Sequence, residues 1–290
     1  MRFTQPSAAK LNLSLRVTKK RRDGYHDIVS LFMRLPAVEM LCISKDGGYV
    51  ADNVRVSGVE VKGENIVSSA LRLAREAGLD VPFLNVEITK TIWPGSGLGA
   101  GSGNAAAVLL WLAKSAEPQE NDPTCQKWQN VAFKTGADVP FLFSCYPLAM
   151  ASGVGEILEP LEPLRLYVSI VIPKWSVGSE NAYSQLDSRY DGKYPLSDSE
   201  ARAEAYALHQ KLRAGEQIGL LPNDFSASLI EKFPDYLEFF DMCDKSGSIA
   251  WGITGSGGAA FALSYRAQPC LAEARPSWAR RVLTLDIAGL

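Results

Sequence analysis

Residues 95–104 read Gly95-Ser96-Gly97-Leu98-Gly99-Ala100-Gly101-Ser102-Gly103-Asn104, with a glycine at every second position. The stretch stands between FLNVEITK (83–90), which alternates like a strand, and AAAVLLWLAK (105–114), which is rich in helix formers. Glycine permits positive φ and close backbone approach, and a helix start presents unbonded N–H groups at the positive end of its dipole. Strand, glycine loop and helix in that order make an anion cradle, and phosphate is its natural guest. A flexible linker would require neither flanking element. Gly95, Gly97 and Ala100 also satisfy the loose G-x-G-x-x-[GA] pattern of dinucleotide folds. That loop belongs in the first βαβ unit of an alternating chain, and this chain opens otherwise. A Walker A loop is excluded, because no Gly-Lys-Ser/Thr follows the glycines.

Outward from the loop, the 290 residues suffice for about two domains. A hydrophobic content of 47% with 21% charged residues is that of a globular chain. Thirty basic against 32 acidic residues give a net charge of −2, so neither nucleic acid nor a membrane is expected as a partner. The basic run Lys19-Lys20-Arg21-Arg22 reads as a solvated turn, with a phosphate contact as the alternative. The opening MRFTQPSAAK lacks the apolar stretch of a signal peptide, and every later apolar run is broken before the roughly 18 residues of a membrane span. A cytoplasmic location is expected. Five scattered cysteines, Cys42, Cys125, Cys145, Cys243 and Cys270, form no CxxC pair and read as buried thiols. Two histidines leave little for a metal centre or a Ser/His/Asp triad, so acid–base work falls to carboxylates and lysines.

Residues 10–17, KLNLSLRV, alternate strictly and predict a half-buried strand with Lys10, Asn12, Ser14 and Arg16 on its polar face. Further strands are expected at 38–44 and 83–90, and IVSSALRLAREA (66–77) carries a helical period that Gly78 closes. The PQENDP stretch at 118–123 is expected to be a loop. Strand-like runs at 166–172 and 249–255 bracket helical patterns from about 179 to 245. The class is therefore α+β in two domains, 1–160 and 161–290, divided where Glu159-Pro160-Leu161-Glu162-Pro163 breaks periodicity.

Four further places carry chemistry. Thr254-Gly255-Ser256-Gly257-Gly258 lies between two apolar runs and reads as a hairpin tip. Asp138, in GADVPF, is a carboxylate in apolar company, open to reading as a turn or N-cap aspartate or as a group balanced by a cation. Lys10 beside Asn12 reads as a surface lysine or as that cation. His26, after the turn signal Asp23-Gly24-Tyr25, is either an exposed loop histidine or a site residue.

In order along the chain, AAKLNLSLRVTKKRRDGYHDIVSLF, GSGLGAGSGNAAA, GADVPFLF and ITGSGGAAFAL resemble the four motifs of the GHMP small-molecule kinases. The AKLNL and DGYH pair resembles the 4-diphosphocytidyl-2-C-methyl-D-erythritol kinase family within them, and PKWSVGSENAY (173–183) and LPNDF (221–225) extend the likeness. The resemblance implies a two-domain GHMP kinase fold, with an N-terminal domain like ribosomal protein S5 domain 2, a ferredoxin-like C-terminal domain and an active site in the cleft between them. It implies transfer of the γ-phosphoryl group of ATP, with Mg2+, to the 2-hydroxyl of 4-diphosphocytidyl-2-C-methyl-D-erythritol, a step of the non-mevalonate isoprenoid pathway.

By the same resemblance Asp138 would accept the hydroxyl proton, and Lys10 would keep it ionised and stabilise charge on the transferred group. Asn12, Tyr25 and His26 would bind the cytidine substrate. Residues 95–104 would wrap the triphosphate, with Ser102 near the phosphate oxygens and the magnesium ligands left open. Thr254, Gly255, Ser256 and Gly257 would form the third glycine motif. The oligomeric state is left open between a monomer and a weak dimer. The loop departs from the usual GLGGGSS in Ala100 and Gly103, and Trp93 stands where proline is common. If position 100 needs positive φ, alanine there costs about 1 kcal/mol. The alternatives are a GHMP kinase for another small alcohol and a catalytically weak nucleotide-binding relative, with a dinucleotide oxidoreductase last.

Overall fold

In the computed structural model, residues 2–45, 48, 50–61, 63–116, 123–267 and 275–287 are described. The first part of the chain forms β1 (Arg2–Lys20), β2 (His26–Ser44), β3 (Asn53–Ser57), α1 (Ile66–Glu76), β4 (Asn85–Thr89), α2 (Ala100–Ser115), α3 (Pro123–Thr135) and α4 (Val139–Ser144). Then come β5 (Leu148–Gly153), β6 (Ile157–Pro160), β7 (Tyr167–Pro173), α5 (Ser179–Tyr190), α6 (Asp198–Ala214), β8 (Gly219–Leu220), α7 (Ser226–Lys232), α8 (Asp235–Lys245), β9 (Ala250–Ile253), β10 (Ala260–Ser264) and β11 (Ala279–Asp286). The strands and helices expected from periodicity are all present. The 118–123 stretch lies outside the described residues except for Pro123, which opens α3.

Two compact units interleave in sequence. Unit 1 comprises Met1–Lys10, Arg34–Pro94 and Gly99–Tyr146, and unit 2 comprises Leu11–Met33, Gly95–Leu98 and Pro147–Leu290. The Glu159–Pro163 stretch falls inside unit 2, where it joins β6 to β7. In unit 1 the end of β2, Met40–Ser44, pairs antiparallel with β4, and β3 pairs with β4 in parallel. Helices α1 to α4 pack on one another. Helix α1 starts where Asn65 accepts a hydrogen bond from the Val67 N–H, and it buries Val67, Ala70, Leu71 and Ala74 along one stripe. Helix α2 is apolar nearly all round and accordingly buried. Its Gly103 has a packing reason, because a Cβ there would stand 1.8 Å from the Ala8 carbonyl oxygen of β1.

In unit 2 the start of β2, Ile28–Met33, pairs with β5, which turns back into β6. Between its two ladders β2 carries Pro36, which has no N–H to donate, and Ala37 at φ 44°. A second sheet runs β11-β7-β10-β9-β8, antiparallel except for β8 with β9. Strands β7, β9 and β10 are buried almost throughout, so they read as continuous apolar runs. Helix α6 opens on a Ser197–Glu200 capping box and closes on the left-handed Gly215.

Two expectations are corrected. Residues 10–15 are buried on both faces, since Lys10, Asn12 and Ser14 are nearly as covered as the leucines between them, and Arg16 alone on the polar face stays partly exposed. Strict alternation marks which face is apolar but not what packs over the polar one. The thiols are not uniformly buried. Cys243 is, and burial pushes its thiol up, but Cys42 and Cys125 are partly exposed and Cys145 is exposed on the left-handed end of α4. Cys270 lies outside the described residues.

Candidate active site

The glycine loop follows β4 and ends as the first turn of α2, and its backbone needs glycine at three points. Gly95, Gly97 and Gly99 have φ of 75°, 79° and 63°. Within unit 2, residues 95–98 interlock with the tip of the β9–β10 hairpin. The Ala259 N–H donates to the Ser96 carbonyl at 2.7 Å, and a Cβ on Gly97 would stand 2.4 Å from the Thr254 carbonyl oxygen. The second glycine cluster is thus a hairpin, as expected, and it buttresses the loop. Asn12 belongs to the same support: its N–H donates to Thr254 Oγ1 at 2.9 Å and its amide to Ser30 Oγ at 2.9 Å. Ser256 donates to Ser179 Oγ at 2.8 Å.

Within unit 1, Gly99 is the N-cap of α2 and offers no side chain to cap it. The first hydrogen bond of the helix runs from the Gly103 N–H to the Gly99 carbonyl, so the preceding N–H groups have no partner within the helix. Ala100 lies inside the helix without positive φ, so the strain expected at that position falls instead on Gly99. Leu98 and Asn104 are buried, and Gly103 is packed against the Ala8 carbonyl.

A Cβ on Gly99 would stand 2.9 Å from Asp138 Oδ2 and 3.2 Å from Lys10 Cγ. These two side chains pair at 3.7 Å, with Lys10 7% and Asp138 28% exposed. Asp138 occupies the N-cap position of α4, yet its carboxylate makes no capping hydrogen bond and Pro140 follows at the second helical residue. Capping alone therefore does not account for it. Its neighbour Gly136 turns toward Ser102, whose Oγ lies 4.0 Å from where a Cβ would sit. Lys10 is a buried lysine, not the surface one open from alternation.

Sequence reading missed Glu39. Buried on β2, it accepts from the Thr91 and Ile92 N–H groups at 2.8 Å each, from Lys90 Nζ at 3.2 Å and from Asn104 Nδ2 at 2.9 Å. It ties residues on both sides of the glycine loop to one carboxylate. The only sign in sequence is a lone charge inside the apolar run AVEMLCI.

In unit 2, Tyr25 is 62% exposed at a turn closed by Asp23, which accepts from the Tyr25 N–H. His26 is buried, stacked on Tyr183 at 4.6 Å, with Nε2 2.7 Å from Asp187 Oδ1. The exposed-loop alternative for His26 is thus set aside. Lys20 and Arg21 of the basic run are committed to Asp187 and to Asp23 and Asp27, which favours the turn reading.

A family model described as "GHMP kinases N terminal domain" matches residues 65–145. Over 263 residues, 90% of each chain, the protein is 35% identical to the 4-diphosphocytidyl-2-C-methyl-D-erythritol kinase of Thermosipho melanesiensis. The chain belongs to the 4-diphosphocytidyl-2-C-methyl-D-erythritol kinase family. The Porphyromonas gingivalis kinase of that family is 32% identical, over 92% of this chain and 93% of the relative. A crystal structure of 4-(cytidine 5'-diphospho)-2C-methyl-D-erythritol kinase aligns over 98% of both chains, with a TM-score of 0.74 at 28% identity. The fold is thus the α+β GHMP kinase fold. Among the described residues no helix is long and apolar enough to cross a membrane.

Proposed function

We propose that the protein phosphorylates the 2-hydroxyl of 4-diphosphocytidyl-2-C-methyl-D-erythritol with ATP, in the cytoplasm. The observation that carries this reading is the Asp138 carboxylate, uncommitted to its own helix, 3.7 Å from buried Lys10 and against the start of α2. In the reaction, Asp138 accepts the proton of the 2-hydroxyl while that oxygen bonds to the γ-phosphorus and the bond to the β-phosphate oxygen breaks, releasing ADP. Lys10 supplies countercharge to the transferred group. The glycine loop and the unbonded N–H groups of α2 hold the phosphates, and Glu39 keeps the flanks of that loop in place. Tyr25 and His26 take the cytosine ring.

A magnesium ion fits this donor set. Among the described residues no group of three His, Cys, Asp or Glu side chains could cage a metal, whereas Mg2+ commonly keeps waters and is carried by substrate phosphates with one or two protein oxygens. Ser102 and Asp138 are the oxygens near the loop, and the ion would neutralise phosphate charge there. The family's N-terminal and C-terminal domains are assigned to 1–160 and 161–290, which accords with a family match that stops at residue 145. Coupled measurement of ADP release tests the reading. ADP formed only with the cytidylylated methylerythritol supports it; turnover with another alcohol alone, or none with any, rejects it.

A further inference from the structure

The histidine of the base site is held by a carboxylate that no motif in the chain announces. Asp187, on α5, accepts from His26 Nε2 at 2.7 Å, from Lys20 Nζ at 2.6 Å and from the Tyr194 hydroxyl. Burial alone would raise this carboxyl, but hydrogen bonds from Lys20, Tyr194 and His26 outweigh it and hold Asp187 at about 2. It is therefore ionised, and an ionised carboxylate only accepts. The hydrogen between the two must sit on Nε2. When the imidazole is neutral, Nδ1 is then a bare acceptor, and no described residue hydrogen-bonds it. Tyr183 stacks on the ring face at 4.6 Å and Tyr194 meets it edge-on at 6.1 Å, and a flipped ring would give up the bond to Asp187.

An acceptor fixed in this way discriminates between pyrimidines. It bonds an exocyclic amine, as in cytosine, and faces lone pair to lone pair with the carbonyl that uracil carries at that position. We propose that Asp187 is a positioning residue that fixes His26 in the Nε2–H form and thereby makes the base site select an amino-pyrimidine over an oxo-pyrimidine. The inference rests on the reading of Tyr25 and His26 as the base site.

Asp187→Asn tests it, since an amide can offer Nε2 either its oxygen or its NH2 and so permits both ring forms. Calorimetric titration of the full chain with CDP and with UDP is expected to show a wild-type preference for CDP of tenfold or more, on the order of one good hydrogen bond. In Asp187→Asn that ratio should fall at least about fivefold, with the KM for ATP unchanged, and Asp187→Glu should restore it in part. A preference for CDP that survives Asp187→Asn, both nucleotides weakening alike, leaves the base site standing and overturns the proposal alone. Equal wild-type affinity for CDP and UDP overturns the base-site reading with it. A second measurement needs no variant. The chain has two histidines, so 15N imidazole spectra of the wild type can be assigned with a His209 substitution. Nε2–H on His26 is expected, and a proton on Nδ1 of the neutral ring overturns the proposal.

Discussion

Replacing Gly99 by alanine places one methyl group at the start of α2, against the Lys10–Asp138 pair. Two costs follow from the structure. At φ 63° a Cβ carries about 1–2 kcal/mol of left-handed strain. If the loop is formed before nucleotide binds, this appears as a loss of stability, roughly 2–8 °C in Tm; if it orders around the phosphates, as ATP affinity weakened about 5–30-fold. The second cost is steric. The new carbon would lie 2.9 Å from Asp138 Oδ2 and 3.2 and 3.3 Å from Lys10 Cγ and Cε. To reach ordinary contact at 3.4 Å the carboxylate must retreat about 0.5 Å. On a scale where a misplacement of about 1 Å costs about 10²-fold, kcat should fall about tenfold. Steady-state ADP release gives kcat and KM, and the assay is repeated in an Asp138→Asn background. There the methyl should cost little further kcat, because the group it displaces no longer takes the proton. A wild-type-background kcat within twofold of normal, or an equal loss in both backgrounds, would refute the contact as the route of damage.

Asp138→Asn keeps the shape of the side chain and should leave the fold and ATP binding intact while lowering kcat by at least about 10²-fold; near-normal kcat in the purified variant removes the general-base role. Lys10→Ala should cut kcat while leaving CDP affinity largely unchanged, and a tenfold weaker CDP complex with kcat preserved would move the lysine from chemistry to recognition. Ala100→Gly should leave the complex with a non-hydrolysable ATP analogue unchanged or weaken it up to about fivefold, since glycine in a helix costs about 0.5–1 kcal/mol relative to alanine. Tighter calorimetric binding would show that position 100 leaves helical geometry when nucleotide binds.

Local order was largely written in local sequence. The alternation of Leu11, Leu13, Leu15 and Val17 marked β1, the apolar period after Asn65 with Gly78 behind it marked α1, and glycines between apolar runs marked both the glycine loop and the β9–β10 turn. These signals survive in one sequence because a strand or helix is specified by which of its faces is apolar, a property of neighbours two to four positions apart. The motif residues Lys10, Asp138, Tyr25 and His26 were named through the resemblance of the stretches around them to family motifs; local pattern alone left Lys10, Asp138 and His26 with second readings. Tertiary structure alone decided what covers the other faces. It buried Lys10, left the Asp138 carboxylate free of its own helix, moved the need for a left-handed residue from Ala100 to Gly99, and gathered Lys90, Asn104 and two backbone N–H groups on Glu39. Asp187 reaches His26 across 161 positions of chain. Such a contact has no period and no motif. It exists because burying a charge is costly without partners, and only the folded chain determines which partners are in reach.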